Sequence, residues 1–348
     1  MQTDLMKKIA FTLFSFFITL MVMAQAKPFY SQYILNNFIL NPAVTGIENY
    51  TDIKLSHRNQ WVGINGAPVT SYVSIHGAIN KTDYKTTATS FEIPGENPRG
   101  KQYQENYKAP NPHHGLGFIA INDQTGFVNR LSVYGSYAYH QPLSVKTTLS
   151  AGFTAGISSV SMDKTKIDFA DLDPNDPAIG YNNGELKTFK PEVGVGLWLY
   201  GANYFAGISV LNIIPGKAAF VSNNKYGSSF SPNYFITAGY RFALSEEVSA
   251  LPSVMLQMWQ PQLYGVHTNV KLQYLDKFWV GGSYRFSDLV AGYSAMAGVN
   301  ISNTFNLGYA YENSSNARIS SYTKNTHEFI LGFILGNKYG DTCPRNVW

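Results

Sequence analysis

Apolar and polar side chains alternate along most of this chain. On 264–275, Val266, Thr268, Val270, Leu272 and Tyr274 share one face, and His267, Asn269, Lys271 and Gln273 share the other. On 278–286, Phe278, Val280, Tyr284 and Phe286 oppose Trp279, Ser283 and Arg285. On 304–312, Phe305, Leu307, Tyr309 and Tyr311 oppose Asn306 and Glu312. A period of two is the mark of a β-strand whose faces meet different surroundings. Fourteen such runs fit between residues 50 and 336: 52–61, 68–79, 114–122, 129–141, 146–158, 190–200, 204–212, 232–243, 248–260, 264–275, 278–286, 290–301, 304–312 and 326–336. One apolar and one polar face, repeated strand after strand, predicts an all-β fold. The expectation is a transmembrane outer-membrane β-barrel of about fourteen antiparallel strands, with lipid outside and a polar lumen. The sheet must close, because an open edge in lipid leaves backbone groups unpaired.

Two windows, 193–216 and 289–311, carry no charged side chain and are long enough to span a bilayer as helices. Their glycines, β-branched and aromatic residues, and breaks at Gly201-Ala202-Asn203 and Ser302-Asn303-Thr304, instead predict two strands each, joined by a tight turn. With both termini in the periplasm, the connections 142–145, 201–203, 244–247, 276–277 and 302–303 become short periplasmic turns. Those at 159–189, 213–231 and 313–325 become long outer loops, the usual asymmetry of such barrels. The 80–113 insert breaks the pattern. It is polar, more basic than acidic, and interrupted by Pro94, Pro98, Pro110 and Pro112, yet parity assigns it to the periplasm. Either a strand is missing from the count before residue 114, or the barrel carries a periplasmic excursion. Cysteines at Ser90 and Ser228 would report the two sides.

The N-terminus supports export. Lys7 and Lys8 precede an apolar stretch from Ile9 to Met23, and Ala24-Gln25-Ala26 fits a cleavage site, so 1–26 reads as a signal peptide. Cleavage after Ala24, a start at Met6 and a retained anchor helix are the alternatives. Residues 27–50 then form an N-terminal periplasmic or plug segment, 51–336 the barrel and 337–348 a C-terminal tail. Charged residues make up 14% of the chain against about 25% in a typical soluble domain, while Tyr and Phe number 24 and 22. The net charge of +4, one less once Lys7, Lys8 and Asp4 leave with the leader, favours neither nucleic acid nor a polyanion. The single cysteine, Cys343, excludes an intramolecular disulfide framework.

The stretch 56–77, SHRNQWVGINGAPVTSYVSIHG, reads as the first hairpin. Lys54, Ser56, Arg58 and Gln60 share a lumenal face, Trp61 is placed near the outer rim, and Gly63–Pro68 is the turn. Tyr72, Ser74 and His76 face inward on the second strand, with Val73, Ile75 and Ile79 toward lipid. The segment FYSQYILNNFILNPAVTG (30–46) followed by this hairpin resembles the N-terminal signature of the PorP/SprF family of Bacteroidetes. Asn41-Pro42, Arg58-x-Gln60-Trp61 and Gly66-Ala67-Pro68 carry most of the likeness. GLGFIAINDQTGF (115–127), with Asp123 and Gly126, SYAYHQPL (136–143) and HEFILGF…CPR (327–345) extend it over the mature chain. The resemblance implies an outer-membrane component of the type IX secretion system. Its partners would be machinery subunits and a secreted cargo protein such as a gliding adhesin. The 80–113 insert departs from the family's compact pattern; its periplasmic side and basic, proline-interrupted composition give the expectation that it docks on the secretion machinery, the alternative being an idle loop.

Other chemistry is sparse. Asp171, Asp173 and Asn175 open like a calcium loop, but Asp176 and Asn182 stand where an EF-hand needs Gly and Glu, so a polar surface loop is the plainer reading. His113-His114 lack a third ligand at metal-binding spacing. Gly332 and Gly336 match a helix-dimer spacing but lie in a strand-like run. No nucleophile elbow, HExxH or phosphate loop occurs, and no cofactor is expected. Lys54, Arg58, Glu192, Arg241, Lys271, Arg285 and Glu312 are expected in a lumenal network, with Arg58 holding the N-terminal segment. Besides the secretion role, a passive porin or hydrophobic-solute channel and an outer-membrane hydrolase remain open.

Overall fold

The protein's structure, a computed structural model, describes residues 32–336 apart from 84, 91–104, 106, 163–185, 215, 219–227, 231, 246, 261–262, 276, 288–290, 303 and 315–320. The expected signal peptide at 1–26, the acidic loop at 168–180, Cys343 and the tail lie outside the described residues.

The alternating runs form strands. In chain order they are β1 (Thr51–Asn59), β2 (Val69–Ile79), β3 (His113–Thr125), β4 (Val128–Pro142), β5 (Thr148–Met162), β6 (Leu186–Tyr200) and β7 (Tyr204–Leu211). After a small separate hairpin, β8 (Gly216–Ala218) and β9 (Ser228–Phe230), come β10 (Asn233–Tyr240), the short β11 (Phe242–Ala243) and β12 (Val248–Gln260). The wall ends with β13 (Leu263–Tyr274), β14 (Phe278–Ser287), β15 (Gly292–Asn300), β16 (Phe305–Ser314) and β17 (Thr326–Leu335). Successive wall strands pair antiparallel, β10 pairs β12 directly, and β1 pairs β17 from Thr51↔Leu335 to Asn59↔His327. Without β8, β9 and β11, fourteen strands close into a barrel, β1 pairing β17 to complete the ring.

The charge-free windows are strands: the second half of β6 with β7 in one, β15 and most of β16 in the other. The observed boundaries differ from the expected ones where side chains carry no contrast. β5 and β6 run four residues further into the 159–189 connection. Ser158, Ser159 and Ser161 give no apolar–polar signal, yet the ladder continues through Ser159↔Phe189 and Ser161↔Lys187. β1 stops at Asn59, so Gln60 and Trp61 belong to the turn, where Trp61 adopts φ 51°. β3 continues to Thr125, leaving only Gly126 and Phe127 between it and β4.

The start of β1 at Thr51 and the end of β17 at Leu335 are paired at one rim, the proximal end. The connections there are short except for 80–112. No strand is missing before residue 114, since β2 and β3 pair directly from Val69↔Gln124 to Ile79↔His114. The distal end is mixed: 163–185, 212–232 and 315–325 are long, whereas 126–127 and 261–262 are tight. Outward positions such as Phe153, Ile157 and Val280 are exposed and apolar, and the opposite positions of the same strands are buried or half-buried. On β13, His267, Asn269, Lys271 and Gln273 all point in.

The lumen is not uniformly polar. Trp198, Phe205, Phe235 and Trp279 project inward and join an apolar core with Ile34, Phe38, Ala43 and other residues of the N-terminal segment. Residues 32–50 lie inside the barrel and are almost wholly buried.

Candidate functional site

The segment QYILNNFILNPAVTGIENY (32–50) mixes large apolar residues with asparagine and one proline. Asparagine favours turns over long helices. The segment accordingly folds into three single-turn 3₁₀ helices: Tyr33–Leu35, Asn37–Ile39 and Pro42–Val44. Short turns leave backbone groups unpaired, and inside a barrel the wall must satisfy them. Ser209 Oγ donates to Leu40 O at 2.6 Å, Ser150 Oγ to Ala43 O at 2.7 Å and His140 Nε2 to Thr45 O at 2.8 Å. The Gly46 N–H donates to His76 Nδ1 at 3.1 Å.

Asn41 is the centre of this attachment. Its Oδ1 accepts the Ala43 N–H at 2.9 Å and caps the Pro42–Val44 turn, with Pro42 at the first helical position where its missing donor costs nothing. Its Nδ2 donates to Leu197 O at 3.0 Å and Ile208 O at 3.1 Å, tying the turn to β6 and β7. The wall is cut to fit. A Cβ on Gly152 would lie 2.5 Å from Pro42 O, on Gly196 2.0 Å from Asn41 Oδ1, and on Gly115 1.9 Å from Thr45 O. At these inward positions only glycine admits the segment's backbone.

A buried ionic network lies on the β1–β17–β16–β14 wall. Arg58, 1% exposed, reaches Glu328 Oε2 and Glu312 Oε2, each at 3.2 Å. Glu312 also takes Arg285 Nη1 at 2.9 Å, and Ser56 Oγ donates to Glu328 Oε1 at 3.4 Å. The guanidinium therefore joins strands of the wall. The task expected of it, holding the N-terminal segment, is carried by Asn41, His76, His140 and the wall serines; Gln32 meets the network through a 3.0 Å bond from its Nε2 to Glu328 O. Lys54 pairs with Asp52, and His76 Nε2 stands 3.8 Å from the same carboxylate. Glu192 accepts the Tyr134 hydroxyl at 2.5 Å, and Lys271 Nζ lies 5.3 Å from the Trp279 ring centre.

At the proximal end the insert closes over the segment. Glu48 accepts from Thr87 Oγ1 and Ser90 Oγ, and Lys81 Nζ donates to Ile47 O at 3.1 Å. Burial holds the Lys81 ammonium below its ordinary pKa, opposed by Glu48 and Asp83. Ala109 N–H donates to Val145 O, binding the insert to the β4–β5 turn. Ser90 is buried in these contacts, so it cannot serve as a surface reporter.

The remaining signature residues cluster at the distal end. Gln60 closes the first hairpin through its N–H to Pro68 O at 2.9 Å, and Trp61 N–H donates to Thr326 Oγ1. Gly126, at φ 59°, donates to Gly66 O at 2.9 Å and clasps the first two distal turns. Asp123 accepts Thr70 Oγ1 at 2.7 Å and faces Arg130 in the ladder. His113 stacks on His140 inside the wall, while His114 turns out to Tyr137, so the adjacent pair does not converge. Sequence reasoning missed Glu328 as Arg58's partner. Its inward position was readable from alternation on 326–335, but its place opposite Arg58 follows only from the β1–β17 closure.

A family model described as "Type IX secretion system membrane protein PorP/SprF" matches residues 22–333, which includes the internal segment, the network and nearly the whole wall. The chain belongs to that family. The PorP/SprF protein is accordingly an outer-membrane β-barrel of the type IX secretion system family. No curated protein sequence matches it. Among solved structures it is similar to the Ralstonia pickettii toluene transporter TbuX, with 11% identity, TM-score 0.47, and coverage of 88% of this chain and 93% of that one. It is also similar to the CymD monoaromatic hydrocarbon channel, with 12% identity, TM-score 0.44, and coverage of 90% and 93%. A third is the Acinetobacter baumannii outer membrane protein Omp33, with 8% identity, TM-score 0.43, and coverage of 84% and 99%.

Proposed function

We propose that this PorP/SprF protein serves type IX secretion as a closed binding platform. It assists export or surface attachment of a specific cargo, such as a gliding adhesin, without conducting that cargo through its own lumen. The supporting observation is the occupied interior: residues 32–50 fill the lumen and are bonded to both the wall and the insert. A polypeptide crossing here would have to displace that segment. Binding therefore falls to the two ends, with distal loops meeting cargo and the 80–112 insert meeting machinery. The role is one of binding rather than catalysis.

The test joins two measurements. Affinity purification from the native outer membrane should recover type IX subunits together with a secreted protein, and the purified barrel should show no steady open-channel conductance in planar bilayers. Stable conductance without copurifying secretion proteins would favour the passive porin instead.

A further inference from the structure

Three histidines converge on Thr45 and Gly46, close to where the internal segment joins β1. His76 lies near the end of β2, His113 opens β3, and His140 lies near the end of β4. All three are buried at the proximal end of the lumen.

Their partners dictate which nitrogens carry protons. A carbonyl only accepts, so His140 bears a proton on Nε2, 2.8 Å from Thr45 O. For the same reason His113 bears one on Nδ1, 2.8 Å from Asn111 O. His76 Nδ1 receives the Gly46 N–H at 3.1 Å and must itself be bare. Its proton then sits on Nε2, 3.8 Å from Asp52 Oδ2. His140 Nδ1 is 2.9 Å from the Tyr200 hydroxyl, and its ring stacks on His113 with centres 4.3 Å apart.

This seat has little room for added charge. A second proton on His76 sets an N–H against the Gly46 N–H. The Tyr200 hydroxyl can turn to accept from His140, but two charged rings stacked face to face repel each other. The neighbours do not offset this. Lys54 of β1 faces His76 and shares Asp52 with it. In the insert, Lys81 faces His140 and His113, and Asp83 faces His113. Glu48 of the segment is already taken by Thr87 and Ser90. Nor can the backbone slide aside, since Gly46 adopts φ 72° and a Cβ there would lie 2.5 Å from Gly115 Cα.

We propose that this histidine seat is a proton-operated latch, which holds residues 43–50 in the lumen at neutral pH and lets them go in acid. The inference rests on the seating of the segment and not on the secretion role. A histidine in water takes its second proton near about pH 6.5, so the released state binds more protons than the seated one. The hold is therefore complete above that pH and weakens as the pH falls through it.

Hydrogen exchange of the full-length protein in lipid nanodiscs tests the latch, at about pH 7.5 and about pH 5.5, either side of the histidine midpoint. Rates are normalised to the intrinsic exchange rate at each pH. Protection of residues 43–50 should fall about tenfold for each histidine protonated only on release, while β13 to β16 keep theirs. His76→Asn places an acceptor that does not titrate close to the position of Nδ1, and His140→Gln places an amide donor close to that of Nε2. The double variant retains Glu48 and Asp52. It should hold the segment at the higher pH and lose most of the acid response. Should it fail to fold, His76→Asn alone should lose about tenfold of that response. Equal normalised protection at both pH values in the unaltered protein would overturn the proposal. An undiminished acid response in His76→Asn would overturn it too, and would assign the effect to the carboxylates.

Discussion

At the scale of single residues, two side chains separate the stability of the wall from the hold on its contents. Arg58 neutralises two carboxylates that are themselves nearly unexposed, Glu312 and Glu328. Removing one partner from a buried ionic group typically costs about 3–5 kcal/mol, because charge is left behind in a poor solvent. Arg58→Ala should therefore lower the temperature at which the folded gel form converts to the unfolded one. Arg58→Lys should recover only part of the loss, since an ammonium cannot span two carboxylates as a planar guanidinium does. Full recovery by lysine would mean that charge alone is needed there. Asn41 acts differently. It caps one turn and donates to two wall carbonyls, so Asn41→Ala removes a cap worth about 1 kcal/mol and leaves polar groups poorly paired. Hydrogen exchange of residues 37–47 should speed up while the strands stay protected. Unchanged exchange in that segment would show that the serine and histidine bonds suffice without Asn41.

At the scale of elements, the strands were legible because alternation survives wherever outward residues are large and apolar, as on β13 and β14. It fails where small side chains erase the contrast, which is why the serine-rich extension of β5 went unread. The internal segment was legible as a separate piece but not as a fitted one. Gly115, Gly152 and Gly196 occupy inward positions on three different strands, and they reveal a binding surface only once the sheet is closed and the strands are in register. Those glycines define a direct test of what blocks the lumen. Gly152→Val places branched carbons where Pro42 O now lies 2.5 Å from a Cβ, on a strand otherwise well suited to valine. The barrel should remain closed and heat-modifiable while the segment is expelled. Planar-bilayer conductance, absent from the unaltered protein, should then appear. A folded variant that still fails to conduct would mean that the insert alone can seal the lumen.

At the scale of the whole molecule, closure makes the two ends unlike. The proximal end gathers the start of β1, the end of β17, the insert and its bonds to Glu48, Ile47 and the β4–β5 turn, whereas the distal end carries three long connections. Strand parity already put the insert with the chain ends. What parity left open was whether the count was right, and the direct β2–β3 ladder settles that point. Long loops belong to the outer surface of such barrels, which assigns the distal end to the outside and the insert to the periplasm as an expectation to be tested. Lys108 is exposed on the insert, and Tyr322, 75% exposed, lies in the last distal loop. In a Cys343→Ser background, an impermeant thiol reagent added to intact cells should label Tyr322→Cys. It should reach Lys108→Cys only after the outer membrane is permeabilised. Both positions must react equally in detergent, which controls for local burial of the kind that disqualifies Ser90. Labelling of Lys108→Cys on intact cells would invert the barrel and place the insert among the surfaces that meet cargo.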